Sequence, residues 1–244
     1  MDIRNILNRQ NQFESKNFLE GVLIVIDKPL EWTSFDVVNK IRFAIKFKYG
    51  VKKCKVGHAG TLDPLASGLL LLCTGSYTKQ IDQLQNESKI YTGTIQLGAV
   101  TPTYDSESEP EHFKSVPDIN EEVLKMVEKQ FSGTIQQMPP IYSAIKIKGQ
   151  KSYDLARRGL AVEMKSRELE IYDLKLTMLS DQQIYFNVHC SKGTYIRSLA
   201  HDIGQFLGCG AYLLSLRRES IADFSVDNAL SIEETVENIR HLSV

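Results

Sequence analysis

Gly57-His58-Ala59-Gly60-Thr61-Leu62-Asp63-Pro64-Leu65-Ala66-Ser67-Gly68, followed by the apolar run Leu69-Leu70-Leu71-Leu72, is the stretch around which the rest of the chain is organised. Its three glycines and its proline interrupt every helical turn, because glycine gives up conformational entropy in a helix and proline lacks the amide donor. What remains is a loop carrying one histidine and one carboxylate, and it reads as a site loop. Asp63 is isolated. Between Asp36 and Asp63 there is no acidic residue, whereas Lys40, Arg42, Lys46, Lys48, Lys52, Lys53 and Lys55 all fall in that interval. One negative charge at the end of a basic approach points to a polyanionic substrate and to a carboxylate with a chemical task.

Upstream of the loop, Gly21 to Asp27 is a continuous β-branched and apolar run, the pattern of a strand buried on both faces, and Lys28-Pro29 ends it. Thr33 and Asp36 form a capping box, and Val38, Ile41 and Ile45 recur at helical spacing up to Gly50, which predicts a helix over about 34 to 48. Downstream, Leu69 to Cys73 reads as a buried strand and Ser76 to Leu84 as a short helix. Lys89 to Leu97 alternates, so Tyr91 belongs to the interior face of its strand. Thr101 to Asp118 is an acidic loop by composition, and Asn120 opens an amphipathic helix over Glu121 to Phe131.

The second half continues in the same manner. Met138-Pro139-Pro140 follows a short strand and opens a basic segment, Lys146 to Arg158, with Tyr142 and Tyr153 interleaved. Leu169 to Met178 and Gln183 to Cys190 read as a hairpin, with a slip near Tyr172-Asp173 that has the form of a bulge. A helix carrying Ile196, Leu199, Ile203 and Phe206 follows, with Tyr195 and Arg197 in its first turn, where free amides and the helix dipole favour anions. Gly208 ends it, Tyr212 to Leu216 reads as a strand, and Arg217-Arg218 adds a basic edge. Ser231 with Glu234 is a capping box for a last helix. Strands outnumber helices and several are hairpin-linked, so an α+β fold on a mostly antiparallel sheet is expected.

Composition excludes several classes. The 244 residues are 42% hydrophobic and 24% charged, which removes disordered and collagen-like readings and leaves one large domain or two small ones. No run approaches the ~18 apolar residues of a membrane span, so a soluble, cytoplasmic protein is expected. Met1 to Glu20 reads as a polar N-terminal extension, with the folded domain over residues 21–244. Cys54, Cys73, Cys190 and Cys209 are scattered singly, which argues against zinc and for buried thiols. The net charge is -1, yet Asp105, Glu107, Glu109 and Glu111 lie apart from the basic segments, and a local basic face is enough to bind RNA.

The motifs together resemble one family. The Gly57 to Gly68 stretch is similar to the catalytic motif of the bacterial tRNA pseudouridine synthases that modify uridine 55 in the TΨC loop, the B-type or TruB family. Lys28-Pro29 with Thr33-Ser34 resembles the family's N-terminal motif, Lys89-Ile90-Tyr91 with Leu97-Gly98 its tyrosine strand, and Met138-Pro139-Pro140 with Tyr142-Ser143-Ala144 its central segment. Cys190-Ser191-Lys192-Gly193-Thr194-Tyr195-Ile196-Arg197 and Leu216-Arg217-Arg218 complete an ordered set running to residue 218.

The resemblance implies the pseudouridine synthase fold, a large mixed sheet with flanking helices and an RNA-binding cleft. It also implies the reaction: the N-glycosidic bond of a uridine in the tRNA T-arm is broken, the uracil turns, and C5 joins C1′ of the same ribose. Asp63 matches the nucleophilic aspartate. Attack at C6, attack at C1′ and a glycal route all use a carboxylate at this position. Tyr91 matches the tyrosine that stacks on the target uracil, Tyr195 one that contacts the nucleotide, and Leu216 a contact with the flipped base. His58 matches the histidine that fills the space left by the flipped nucleotide. Arg197 matches the arginine paired with the aspartate, and Lys28 is a weaker supporting match.

The implied chemistry needs no metal and no cofactor, and a monomer is expected. Many family members continue into a C-terminal RNA-binding domain of the PUA type, whereas 26 residues follow Arg218 here, too few for such a domain, so a short form is expected. The competing reading is a non-catalytic tRNA-binding or tRNA-folding protein that uses the same cleft.

Overall fold

The structure is a computed structural model that describes residues 5–11, 16–143, 145–147, 149–160 and 163–241. Ala144 of the central motif and Lys148 of the basic segment lie outside the described residues. In chain order the elements are β1 (Ile6–Leu7), β2 (Leu23–Lys28), α1 (Ser34–Tyr49), β3 (Val56–His58), β4 (Ala66–Thr74), a 3-10 segment (Gly75–Gln80) continuing as α2 (Ile81–Asn86), β5 (Lys89–Leu97), α3 (Glu121–Gln130) and β6 (Gly133–Gln137). Then come the small hairpin of β7 (Lys146–Ile147) and β8 (Gln150–Lys151), α4 (Ser152–Arg157), β9 (Arg167–Ser180), β10 (Gln183–Cys190), α5 (Ile196–Phe206), β11 (Ala211–Ile221), β12 (Phe224–Ser225) and α6 (Ile232–His241). This is an α+β fold with two compact units, Met1–Ile90 with Arg217–Val244, and Tyr91–Leu216. Strands β5 and β11 each carry the chain from one unit into the other.

In the first unit the strands run in the order β1-β2-β4 and then the second half of β11, with β3 also on β4 and β12 on β11. β1 is parallel to β2, and β2 is antiparallel to β4 from Leu23↔Cys73 to Lys28↔Gly68, so the sheet is mixed. The apolar run of β2 is buried on both faces. Ile24 and Ile26 pack with Val38, Ile41, Ile45 and Ile239 from α1 and α6, while Leu23 and Val25 pack with Leu69, Leu71 and Leu84. α1 starts and stops where its capping chemistry requires. The Thr33 side chain accepts from the Asp36 amide and the Asp36 carboxylate from the Thr33 amide, while Gly50 at φ 63 donates its amide to the Lys46 carbonyl.

Two features of this unit depart from the sequence pattern. The segment before Glu20 contributes Ile6, Leu7 and Phe18 to the core, and Arg9 Nε donates to the Ala229 carbonyl at 2.8 Å. An adjacent apolar pair and a single phenylalanine eleven positions on carry no periodicity from which such burial could be read. The pair Arg217-Arg218 is not an edge beyond a strand either, because β11 continues through both to Ile221. Arg217 makes a two-pronged contact with Asp27 at 2.8 and 3.1 Å, and Arg218 is 1% exposed. Charges that find partners interrupt an apolar alternation without ending the strand.

In the second unit the order is the first half of β11, then β5, β10, β9 and β6. Tyr91, Gly93, Ile95 and Leu97 occupy the buried side of β5, and Ile184, Phe186, Val188 and Cys190 that of β10. The slip foreseen in β9 is present. His189 pairs with Asp173 and Cys190 with Ile171, which leaves Tyr172 as the extra residue of a bulge. α3 is capped by Asn120, whose side chain accepts from the Val123 amide at 3.0 Å. No helix among the described residues is long and apolar enough to cross a membrane.

Candidate active site

Asp63 lies in the loop from β3 to β4, partly exposed, and the backbone around it is fixed from several sides. Ser34, the first residue of α1, accepts from the Leu62 amide at 2.9 Å and donates to the Leu62 carbonyl at 3.1 Å. The Glu31 amide donates to the Pro64 carbonyl at 2.8 Å, and the Ala66 amide to the carbonyl of Asp63 itself at 3.0 Å. From β11, Arg218 donates through Nε to the Leu69 carbonyl at 2.7 Å and through Nη2 to the Gly60 carbonyl at 3.2 Å. One buried arginine therefore ties the beginning of the motif loop to the strand that follows it. Gly68 is required by the same approach, since at φ 103 a Cβ there would run into the Arg218 backbone, with its nitrogen at 2.7 Å.

Lys28, at the end of β2, is fully buried and donates to the carbonyls of Pro29 at 2.8 Å and Trp32 at 2.7 Å. Burial pulls its pKa down from 10.5 to about 8; the Asp63 carboxylate acts against that shift and the Arg218 charge adds to it. His58, the last residue of β3, is half-buried. Burial and then the Arg218 charge hold its pKa below the ordinary value, which favours a neutral ring, and its buried Nδ1 has no hydrogen-bond partner. Lys28, His58, Asp63 and Arg218 thus belong to one electrostatic neighbourhood within the first unit.

The second unit holds the other residues singled out by sequence. Tyr91 is 8% exposed on β5, and Leu216 is half-buried on β11. Tyr195 is the N-cap of α5 rather than a residue inside its first turn. Its backbone is clamped by the buried Gln137, whose Oε1 accepts from the Tyr195 amide at 2.8 Å and whose Nε2 donates to the Tyr195 carbonyl at 3.0 Å. Arg197 is buried, with Nη1 at 3.5 Å from an Asp105 oxygen and donating to the Thr103 carbonyl at 3.2 Å. Asp105 accepts in turn from Thr103 Oγ1 at 2.6 Å and from the Glu107 amide at 3.0 Å, and Thr101 Oγ1 donates to the Asp105 carbonyl at 2.7 Å.

The sequence motifs gave Asp105 and Arg218 no role in the site and did not include Gln137. Asp105 stood within an acidic run whose other members, Glu107, Glu109 and Glu111, are exposed. The signal that separates it is the alternation Thr101, Thr103, Asp105, because the Thr103 hydroxyl supplies a carboxylate that leaves water with a donor and the Thr101 hydroxyl holds the carbonyl of the same residue. Among the described residues no group of three or more His, Cys, Asp or Glu side chains is arranged to hold a metal ion.

Structures of known proteins give the class. The chain is similar to the crystal structure of a Cbf5-Nop10-Gar1 complex, with a TM-score of 0.68 and 28% identity over 90% of this chain and 54% of that one. It is also similar to the structure of an H/ACA RNP bound to a substrate RNA containing 2′-deoxyuridine, with a TM-score of 0.64 and 26% identity. The family model of the TruB pseudouridylate synthase N-terminal domain matches residues 46–196, and that of the tRNA pseudouridylate synthase B C-terminal domain residues 197–241. The fold is therefore that of the pseudouridine synthases, which are isomerases. Tighter relatives narrow it: tRNA pseudouridine synthase B of Flavobacterium johnsoniae is 49% identical across 89% of this chain and 95% of the relative, and that of Chlorobaculum tepidum 44% across 90% and 91%. The chain belongs to the TruB family of tRNA pseudouridine synthases.

Proposed function

We propose that the protein isomerises uridine to pseudouridine at position 55 in the TΨC loop of tRNA, in the cytoplasm, with Asp63 as the nucleophile. The observation that carries this reading is Asp63 in a loop whose backbone is pinned by Ser34 and Arg218, with the buried Lys28 ammonium under its electrostatic influence. A carboxylate nucleophile needs no separate base to activate it. What it needs is position, and the hydrogen bonds to Leu62, Pro64 and the Asp63 carbonyl supply that.

The remaining roles follow the motif matches. Tyr91 stacks on the target uracil, Tyr195 and Leu216 contact the nucleotide, and Arg197 and Lys28 supply supporting positive charge. His58, held neutral, enters the stack in place of the extruded base. Extrusion costs a few kcal/mol and least in a loop already strained, which favours a folded T-arm as substrate. The rearrangement takes place within one nucleotide and consumes no co-substrate.

The test is incubation with an unmodified tRNA transcript followed by base-resolved pseudouridine mapping. Wild type converts position 55 and Asp63→Asn does not, while both bind the tRNA. Wild-type protein that is folded yet leaves position 55 as uridine overturns the proposal. If Asp63→Asn keeps full activity in a tRNA-refolding assay and neither form makes pseudouridine, the protein is a binding or folding factor instead.

A further inference from the structure

The first unit carries a strongly cationic concavity whose lining does not include the Asp63 loop. It has a volume of about 910 Å³ and is lined by Arg42, Lys46, Lys52, Lys53, Lys55 and Lys79, with Glu20 the only carboxylate among the described lining residues. The whole chain has a net charge of -1, so this density of positive charge is local. Parts of the lining are built rather than loose. Arg42 is held by the Val56 carbonyl at 2.9 Å and Asn39 Oδ1 at 2.7 Å, and the Lys46 ammonium lies 5.5 Å from the centre of the Phe43 ring. Gly75, at φ 50, sits so close to the carbonyls of Leu19 and Glu20 that no Cβ would fit.

Its place along the sheet decides what it holds. The β2–β4 register sets Gly68 beside Lys28 at one end and Cys73 beside Leu23 at the other. Beyond that second end the Gly75 amide donates to the Lys55 carbonyl at 3.0 Å. From Gly68 to Thr74 the strand advances about 20 Å at ~3.3 Å per residue. That is on the order of six stacked nucleotides between the Gly68 end of the motif loop and the concavity, a span covered by a structured RNA and not by a single nucleotide. Lysines spread over an open surface act as point charges for phosphates without reading bases.

We infer that this concavity binds the sugar–phosphate backbone of the RNA substrate outside the T-arm that carries the target loop. The inference rests on the tRNA reading proposed above. Part of the affinity then comes from RNA that never approaches the reacting uridine, and it is independent of that RNA's sequence and steeply dependent on salt.

The test compares a full-length unmodified tRNA transcript with an isolated T-arm stem-loop, using wild type, Lys52→Ala/Lys53→Ala/Lys55→Ala, and the corresponding triple arginine variant. The alanine variant should raise KM for the full tRNA about tenfold or more, lower the slope of log affinity against log salt by about 2 to 3, and leave the stem-loop KM within about twofold. The arginine variant should restore the wild-type values. An unchanged KM for the full tRNA, or an equal loss on both RNAs, overturns the inference. If wild type converts neither RNA, the functional proposal fails; filter binding with the same proteins and RNAs then decides separately, a selective weakening for full-length tRNA supporting the second site and its absence overturning it.

Discussion

Arg197 and Asp105 form a buried ion pair, with Nη1 3.5 Å from the carboxylate and both side chains less than a tenth exposed. The pair joins the first turn of α5 to the loop after β5, and Asp105 is itself held by Thr103 and the Glu107 amide. Removing one partner of a buried pair strands the other charge, at a cost of about 3 to 5 kcal/mol. Asp105→Ala should therefore destabilise the protein by roughly 3 kcal/mol, the lower end of that range, because Arg197 keeps the Thr103 carbonyl as a partner. Asp105→Asn, which keeps an acceptor, should lose less. Urea denaturation at neutral pH measures both, and turnover should fall in the same order, since Arg197 is the residue whose charge the reaction is proposed to use.

The contact between Gly68 and Arg218 predicts a sharper effect from a single methyl group. A Cβ at Gly68 would collide with the backbone of Arg218, and its φ of 103 strains any other residue. Backbone cannot swing aside as a flexible side chain does. Gly68→Ala should thus cost several kcal/mol and reduce soluble yield, whereas Gly50→Ala, at φ 63 but with nothing within 4 Å, should cost only about 1 kcal/mol. Similar melting temperatures for the two variants would show that β4 and β11 do not approach in this way.

These two contacts also mark how far the chain could be read before folding. α1 was legible to within a residue, because Thr33, Asp36 and Gly50 act locally, on backbone groups a few positions away. So were the doubly buried run of β2 and the bulge at Tyr172, since an unbroken apolar run marks a strand covered on both faces and a slip in alternation marks a bulge. Arg218 and Asp105 were not. A buried arginine and a solvated one have the same letter, and what buries Arg218 is a pair of carbonyls, at Gly60 and Leu69, about 150 residues earlier. The same holds for Ile6, Leu7 and Phe18, whose burial depends on elements from elsewhere in the chain. For the site, Asp63, His58 and Lys28 could be picked out by motif, while Ser34 and Arg218 stood in the motifs without a role, because the loop backbone they hold is a tertiary partner.

A last prediction concerns pH. Asp202, half-buried on α5 next to the stacked pair of Tyr104 and His201, has its pKa raised by burial from 3.8 to about 6. The sign follows from counting protons. Below about 3.8 the carboxyl is protonated in both folded and unfolded chains and carries no penalty; between 3.8 and 6 the folded chain holds the extra proton; above 6 both are ionised and the folded state bears the full cost of the buried charge. This group's contribution to stability therefore declines as pH rises through that window. Asp202→Asn removes the charge and should raise the melting temperature at pH 7.5 by about 2 to 4 °C, corresponding to on the order of 1 kcal/mol once solvent screening of a half-buried group is allowed for. At pH 4 the same substitution should change it by much less. Thermal denaturation of both proteins at the two pH values measures the difference, and an equal shift at pH 4 and 7.5 would mean that the carboxylate at 202 carries no burial penalty.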